Sequence, residues 1–225
     1  LAGGERKIMN ELMNKINLMD CKKGMECFPD KFFDLAIVDP PYGIDEIWAK
    51  QKSDQFYYHR SSYKNNEIPD EEYFQQLMRV SKNQIIWGAN YYQNLWPSNH
   101  LIIWDKGRNW EKTHMSECEI AWHSFNIPCR KFYHQWDGGK KQTETGIIKI
   151  HPFQKPVNLY RWLLQQYAAS GDKILDTHAG SASSLVACWE EGFEFCGFEI
   201  DEGYYLAACN RLEQVRAQGK LFEAV

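Results

Sequence analysis

Short apolar runs alternate with amphipathic stretches along this chain, a pattern that predicts an α/β architecture. Ile16 to Cys21 reads as a short strand. Asp34-Leu35-Ala36-Ile37-Val38 is a clearer one, apolar on both faces as a central parallel strand requires. It stops at Asp39-Pro40-Pro41-Tyr42 because two successive prolines cannot donate to a sheet ladder. No period is visible from Gly43 to Pro69. Asp70 then offers a helix N-cap, with Glu71 and Glu72 in the first turn and Tyr73, Phe74, Leu77 and Met78 at helical spacing. Gln84 to Trp87, His100 to Trp104 and Glu119 to Ser124 predict further strands, and Leu159, Trp162, Leu163 and Gln166 outline one face of a helix that starts at Val157. Lys173 to Asp176 predicts a strand feeding a small-residue turn, followed by a helix over Leu185 to Glu191, a strand over Phe193 to Ile200 and a final helix from about Gly203 to Gln218. Strand, turn, helix and strand with acids at the second strand's end is the layout of a nucleotide-binding half.

Composition narrows the class. The 225 residues carry 26 Lys+Arg against 30 Asp+Glu, with 44% apolar and 15% aromatic residues, which fits one folded domain over 1–225 and argues against a disordered or fibrous chain. No apolar run approaches the roughly 20 residues that span a bilayer, and no signal pattern opens the chain, so no membrane partner and a cytoplasmic address are expected. Leu1-Ala2-Gly3-Gly4 reads as an appended remnant. The seven cysteines include no CxxC pair and read as reduced thiols, with no metal site expected. The net charge of −4 disfavours nucleic acid, but residues 105–155 hold nine Lys+Arg and six Asp+Glu, so one face can be basic. Ordinary fluctuation in solvated loops accounts for the same excess equally well.

Two segments carry candidate chemistry. In Thr177-His178-Ala179-Gly180-Ser181-Ala182, small residues allow close backbone approach to a ligand, and the next helix offers free N–H groups. Glu199 and Asp201 stand about 20 residues beyond Gly180, where an acid can bond ribose hydroxyls, so an adenosine-bearing ligand is implied. In Asp39-Pro40-Pro41-Tyr42, a carboxylate at a strand's carboxyl end, carbonyls without competing N–H groups and a flat ring suit an exocyclic amine on an aromatic base. A small-residue packing turn and a plain turn with an exposed aromatic are the respective alternatives.

With the His151-Pro152-Phe153-Gln154-Lys155-Pro156 segment between them, these motifs resemble those of the S-adenosylmethionine-dependent DNA amino-methyltransferases. The order, with the catalytic motif ahead of the cofactor motifs, is similar to the β-class, and Trp87-Gly88-Ala89-Asn90-Tyr91-Tyr92 and Ile102-Ile103-Trp104-Asp105-Lys106 resemble small phage-type members. The resemblance runs from Asn17 to the last helix. It implies a Rossmann-like fold with a mostly parallel twisted sheet, helices on both faces and a permuted motif order. It further implies S-adenosylmethionine as cofactor, with Asp20 on its adenine amine beside Cys21 and with Glu199 and Asp201, flanking Ile200, on its ribose and adenine. Asp176, Thr177, His178, Gly180 and Ser181 would wrap the methionine part, and Phe153 and Lys155 would lie near its carboxylate. Asp39 and the Pro40 carbonyl would take the two protons of the target amine, with Pro41 holding the turn and Tyr42 stacking on a flipped base. The D-P-P-Y form suggests adenine N6 over cytosine N4.

Two positions depart from the family pattern. His178 stands where Phe is usual and reads as a pocket wall rather than a base, and Ala182 replaces a glycine, which predicts a wider turn or a more weakly held cofactor. For DNA, the resemblance points to a catalytic-side loop over 43–69, carrying Arg60 and Lys64, and to a short target-recognition region over 107–146, carrying Arg108, Lys112, Arg130, Lys131, Lys140 and Lys141. The first segment reads equally as a surface loop. Because the second is short, specificity that is brief, relaxed or shared in a homodimer is the expectation. Methylation of cytosine N4 or of RNA is the nearest alternative, and a module that binds cofactor or nucleic acid without transfer is the alternative of a different class.

Overall fold

The computed structural model describes residues 3–43, 67–92, 99–107, 116–137 and 140–223. Its elements are α1 (Gly3–Leu12), β1 (Lys15–Leu18), α2 (Cys21–Glu26), β2 (Phe33–Val38), α3 (Glu71–Val80), β3 (Ser81–Trp87), a 3-10 turn (Ala89–Tyr91), β4 (Leu101–Asp105), β5 (Cys118–His123), β6 (Arg130–Tyr133), β7 (Trp136–Asp137), β8 (Lys140–Lys141), α4 (Val157–Tyr167), β9 (Lys173–Asp176), α5 (Ser183–Glu190), β10 (Glu194–Glu199) and α6 (Glu202–Glu223).

Eight strands form one sheet in the order β1-β10-β9-β2-β3-β5-β4-β6, and β7 pairs with β8 in a two-stranded ribbon. Pairings from β1 across to β3 are parallel, β5 runs against both β3 and β4, and β6 is parallel to β4. The chain order reverses between β9 and β2, which are direct neighbours, so the carboxyl ends of these two strands flank the crevice where open α/β sheets bind ligands. Asp39 follows one strand and the 177–182 turn follows the other. Because β5 is reversed, its amino end, with Glu119, comes to this same rim: Glu119 lies opposite Trp104, one residue before the end of β4.

The sheet separates two apolar clusters. One gathers Leu35, Ile37, Ile85, Trp87, Leu159, Leu163, Ile174 and Leu185 under α4 and α5, and the other gathers Val38, Phe74, Leu77, Ile86, Leu175 and Phe198 under α2 and α3. Asp70 caps α3 by accepting from the Tyr73 amide at 2.9 Å, as its place before an amphipathic run predicts.

Several elements differ from the sequence expectation. The strand placed over Ile16 to Cys21 ends at Leu18, because Asp20 turns the chain into α2 by accepting from the amides of Lys22 at 2.9 Å and Lys23 at 3.2 Å. The opening glycines belong to α1. β3 begins at Ser81, three residues ahead of the apolar stretch. Ala182 takes the left-handed conformation itself, with φ of 60° and ψ of 23°. The turn therefore keeps its geometry and is not widened. Left-handed backbone costs an L-residue about 1–2 kcal/mol. Glycine would relieve this but would lose a buried methyl worth about 0.8 kcal/mol and add unfolded-state freedom of similar size. Ala182→Gly should therefore change the free energy of urea unfolding by less than about 0.5 kcal/mol, unlike an ordinary Ala→Gly change at about 1 kcal/mol.

Candidate active site

Asp39 leaves β2 into a turn that two tyrosines hold from one side. The Tyr92 hydroxyl donates to the Pro40 carbonyl at 2.8 Å, and the Tyr42 hydroxyl donates to Asp39 Oδ1. The Tyr42 ring lies parallel to Tyr91, with centroids 4.9 Å apart and planes 13° from each other. Gly88 makes this packing possible: its φ is +74°, and a Cβ there would sit 2.1 Å from the Tyr42 ring. These contacts narrow two expected roles without contradicting them. One face of Tyr42 is already covered by Tyr91, and one lone pair of the Pro40 carbonyl is already used. A carbonyl oxygen accepts two hydrogen bonds, so the bond from Tyr92 leaves room for a second donor.

Lys155 departs from the sequence expectation. Its ammonium is not turned to a cofactor carboxylate; it bonds Asp39 Oδ2, reaches Glu119 Oε2 at 3.0 Å and donates to the Tyr42 hydroxyl at 3.3 Å. Lys106 binds the other Glu119 oxygen. Two carboxylates and two ammonium groups thus form a charge-balanced cluster on the rim, with the Lys155 side chain only 4% exposed. Desolvation is what makes such a cluster costly, and mutual pairing is what offsets it. Burial opposes the charge on Lys155, but Asp39 and Glu119 outweigh it and hold the ammonium above its ordinary range. Burial likewise opposes ionisation of Glu119, yet Lys155 and Lys106 draw its carboxyl down to about 2. Burial pushes Asp39 up, with Lys155 countering.

Across the crevice, Asp176 accepts from the Ser184 hydroxyl and from the His178 amide at 2.9 Å, and burial raises its carboxyl to about 7 despite these donors. The Glu199 carboxylate takes the Gly180 amide at 2.8 Å on one oxygen and the Asp201 amide at 2.9 Å on the other. Between the two acids Ile200 is half-exposed. Asp20 and Cys21 reach the same rim because the Met19 amide bonds the Glu199 carbonyl at 3.0 Å, and burial lifts the Cys21 thiol to about 12. The Tyr73 hydroxyl lies 2.7 Å from Thr177 Oγ1, which bridges α3 to the turn.

The 151–155 segment covers the turn. A Cβ on Gly180 would meet His151 at 3.5 Å, His151 packs edge-on against Tyr204 at 4.4 Å, and the Phe153 ring lies 6.0 Å from His151. Arg211 of α6 fastens the turn from behind, donating to the Ser181 carbonyl at 2.9 Å and to Ser183 Oγ at 2.8 Å and pairing with Glu144 at 3.2 Å. Sequence reasoning gives no role to Glu119, Lys106, Tyr92, His151 or Arg211. Lys106, Tyr92 and His151 stand inside motifs that carry the resemblance, whereas Glu119 and Arg211 act through contacts that no local pattern announces.

His178 stands 2.9 Å from Thr177 Oγ1 and edge-on to Tyr73 at 5.4 Å. Burial lowers its pKa from 6.5 to about 4. Because the unfolded chain takes up this proton near 6.5 and the folded chain only near 4, the group withdraws stability as pH falls between those values. His178→Phe should remove that loss. Urea unfolding at about pH 7.5 and about pH 5 should show the gap between the two conditions altered by up to about 2 kcal/mol in favour of the acidic one.

Of the residues assigned to DNA, Arg60, Lys64, Arg108 and Lys112 lie outside the described residues, as do most of the 43–69 loop and part of the 107–146 region. Arg130 and Lys131 open β6 and pair in register with Ile102 and Ile103, which sets Arg130 toward the far end of the sheet from the crevice. Lys131 is bound to Asp105 at 3.2 Å. Lys140 and Lys141 form β8, and the Lys141 ammonium lies 5.1 Å over the Trp136 ring. Among the described residues no His, Cys, Asp and Glu group is placed to hold a metal, and no helix is long and apolar enough to cross a membrane.

The sheet order, the switch-point crevice and the acid at each side define a Rossmann-like methyltransferase architecture. The family of DNA methylases of the N6/N4 type matches residues 60–210, and the chain belongs to that family. The Type II methyltransferase M.HinfI of Haemophilus influenzae is 21% identical over 92% of this chain and 70% of its own length. Among solved structures, TTHA0409 of Thermus thermophilus, complexed with S-adenosyl-L-methionine, superposes with a TM-score of 0.57 at 17% identity, covering 89% of this chain and 95% of that one. The cytosine-N4-specific PvuII DNA methyltransferase superposes with a TM-score of 0.57 at 14% identity, covering 90% and 89% of the respective chains.

Proposed function

We propose that this chain methylates the N6 amine of adenine in DNA by direct transfer to a base turned out of the helix. The observation that carries the reading is the placement of Asp39 and the 177–182 turn on adjacent parallel strands at the point where strand order reverses. The residues on the turn side fit S-adenosylmethionine. The paired acids Glu199 and Asp201 with Ile200 between them suit an adenosine, and both Glu199 oxygens keep lone pairs for ribose hydroxyls after taking their backbone donors.

When bound, S-adenosylmethionine supplies a sulfonium methyl whose C–S bond breaks, leaving the electron pair on sulfur, as the amine nitrogen forms its new bond to carbon. An aromatic amine is a poor nucleophile because its lone pair is shared with the ring. Asp39 and the Pro40 carbonyl would accept its two N–H groups and favour a pyramidal nitrogen, whose lone pair is localised on nitrogen instead of shared with the ring and points at the methyl. The nitrogen becomes strongly acidic only as it acquires the methyl, so a modest base suffices, and Asp39 takes the proton and passes it to water. Acceptors fixed in advance by Tyr92, Tyr42 and Lys155 need no reorganisation during the step. A target atom inside a duplex is out of reach of such a crevice, which is why the base must leave the stack.

The carboxylate in D-P-P-Y supports adenine, while the N4-cytosine chemistry of the PvuII enzyme keeps cytosine as the second reading. Incubation with methyl-labelled S-adenosylmethionine and mixed-sequence DNA, followed by nucleoside analysis, should place the label in N6-methyladenine. Label in N4-methylcytosine would move the assignment to the second reading, label only in RNA would change the substrate class, and the absence of label at several salt concentrations would count against transfer altogether.

A further inference from the structure

The pairing of Lys155 with Asp39 alone would be a liability for the reaction just described, since an ammonium locked onto the acceptor competes with the incoming amine. The structure contains a counterweight. Glu119 approaches the same ammonium at 3.0 Å from the amino end of the reversed strand β5, and its other oxygen is held by Lys106, which follows β4. The Lys106 amide bonds the Glu117 carbonyl at 2.9 Å, so both members of this second pair are fixed by the same antiparallel ladder. None of these atoms belongs to the tetrapeptide or to the cofactor turn.

We propose that Glu119, braced by Lys106, is a positioning residue for methyl transfer: it shares the Lys155 ammonium with Asp39, so that Asp39 is not fully claimed by its counter-ion. The inference rests on the reading of Asp39 as acceptor of the amine proton. Without Glu119, Lys155 closes on Asp39, the acceptor becomes a weaker base, and its lone pairs are less available to the amine. Charge counting gives the same direction: Glu119 is a nearby anion that opposes ionisation of Asp39, and deleting it makes Asp39 more acidic.

Asp39 is faced by Lys155 from the segment before α4, Tyr42 from its own turn, Glu119 from β5 and Asp176 from β9. Tyr73 of α3, Tyr92 after the 3-10 turn and Tyr160 of α4 also face it, and burial keeps all three of these phenols neutral well past physiological pH. Burial raises the Asp176 carboxyl to about 7, and the Asp39 charge adds to that rise, so its own resonance is followed in each variant and the informative quantity is the displacement of the Asp39 midpoint between variants.

The test reads the carboxyl-carbon NMR resonance of Asp39 in cofactor-free protein labelled at its aspartate carboxyl carbons, assigned by its absence from Asp39→Asn. Glu119→Gln keeps the shape and should lower the Asp39 midpoint by about one pH unit. Adding Lys106→Met, which removes the stranded cation, should return it most of the way. In steady-state assays Glu119→Gln should reduce kcat by up to about tenfold, the most that one unit of lost basicity removes, with the dissociation constant for S-adenosylmethionine unchanged and partial recovery of kcat in the double variant. A midpoint that does not move in Glu119→Gln, or that is displaced equally in the double variant, overturns the proposal. Should Glu119→Gln alone lose cofactor binding, the double variant decides: a midpoint within about 0.3 units of the parent supports charge balance, and a larger displacement refutes it. Turnover retained by Asp39→Asn would remove the reading of Asp39 itself, whereas an inactive Asp39→Asn beside an unmoved Glu119→Gln removes only the role of Glu119.

Discussion

Asp39→Asn should lower the rate of methyl transfer by about 10³-fold or more while leaving S-adenosylmethionine binding intact. The substitution is nearly isosteric, but it removes both the charge and one of two acceptor oxygens. With the amide oxygen kept on the Lys155 ammonium, the amide nitrogen turns to the Tyr42 hydroxyl, which can accept from it, and no anionic acceptor is left for the proton of the target amine. Asp39 makes no contact with Glu199, Gly180 or the capped turn at Asp20, so the cofactor side retains its hydrogen bonds. Calorimetric titration with S-adenosylmethionine alongside single-turnover assays separates the two effects. A variant that turns over near the parental rate would refute the assignment of this carboxylate, and a variant that neither binds nor transfers would show the cluster to be needed for folding.

Lys155→Met should be the most destabilising single change in the crevice, at about 3–5 kcal/mol, because it strands the partly buried Asp39 carboxylate and leaves Glu119 with Lys106 alone. Methionine fills most of the volume, so the loss is electrostatic rather than a cavity effect. The pH dependence distinguishes this from a packing defect. With the shared cation gone, Asp39 and Glu119 repel each other: the Asp39 carboxyl rises further above its ordinary range, and Glu119 loses one of the two cations that hold it down. The added cost is therefore felt as pH rises through the raised folded value of Asp39 and fades as pH falls below it. Urea unfolding of parent and variant at several pH values should show the deficit shrinking toward acid. A deficit that is constant with pH would point to packing instead.

How much of this is legible in the sequence depends on the range of the interaction that carries it. The central strands β2 and β9 and their end points are local facts: Asp34 to Val38 are apolar on both faces and two prolines stop them, and Lys173 to Asp176 run straight into small residues. The α3 cap and the acids after β10 are equally local. The contacts of Lys155 and Tyr92 are not. Lys155 lies 116 positions from Asp39, and Tyr92 lies 52 from Pro40, so a lysine in a motif and a tyrosine in an aromatic run carry no mark of their partners. The first strand ends earlier than its sequence suggests because apolar character continues through Met19 and Cys21, while the cap at Asp20 precedes a helix of only six residues. The short strands β6, β7 and β8 escape sequence reading because four residues and two pairs of residues are too few to show an alternating period.

The reversed strand has a consequence for how such catalysts can be tuned. Among the described strands of the large sheet, the others point their exits toward the crevice side, and β5 alone points its entrance there, bringing Glu119 beside the lysine that follows β4. An exchange of the β4–β5 hairpin between relatives would thus transplant an acid and its counter-ion together as a cassette, resetting the electrostatics of the acceptor while leaving both motif-bearing strands untouched.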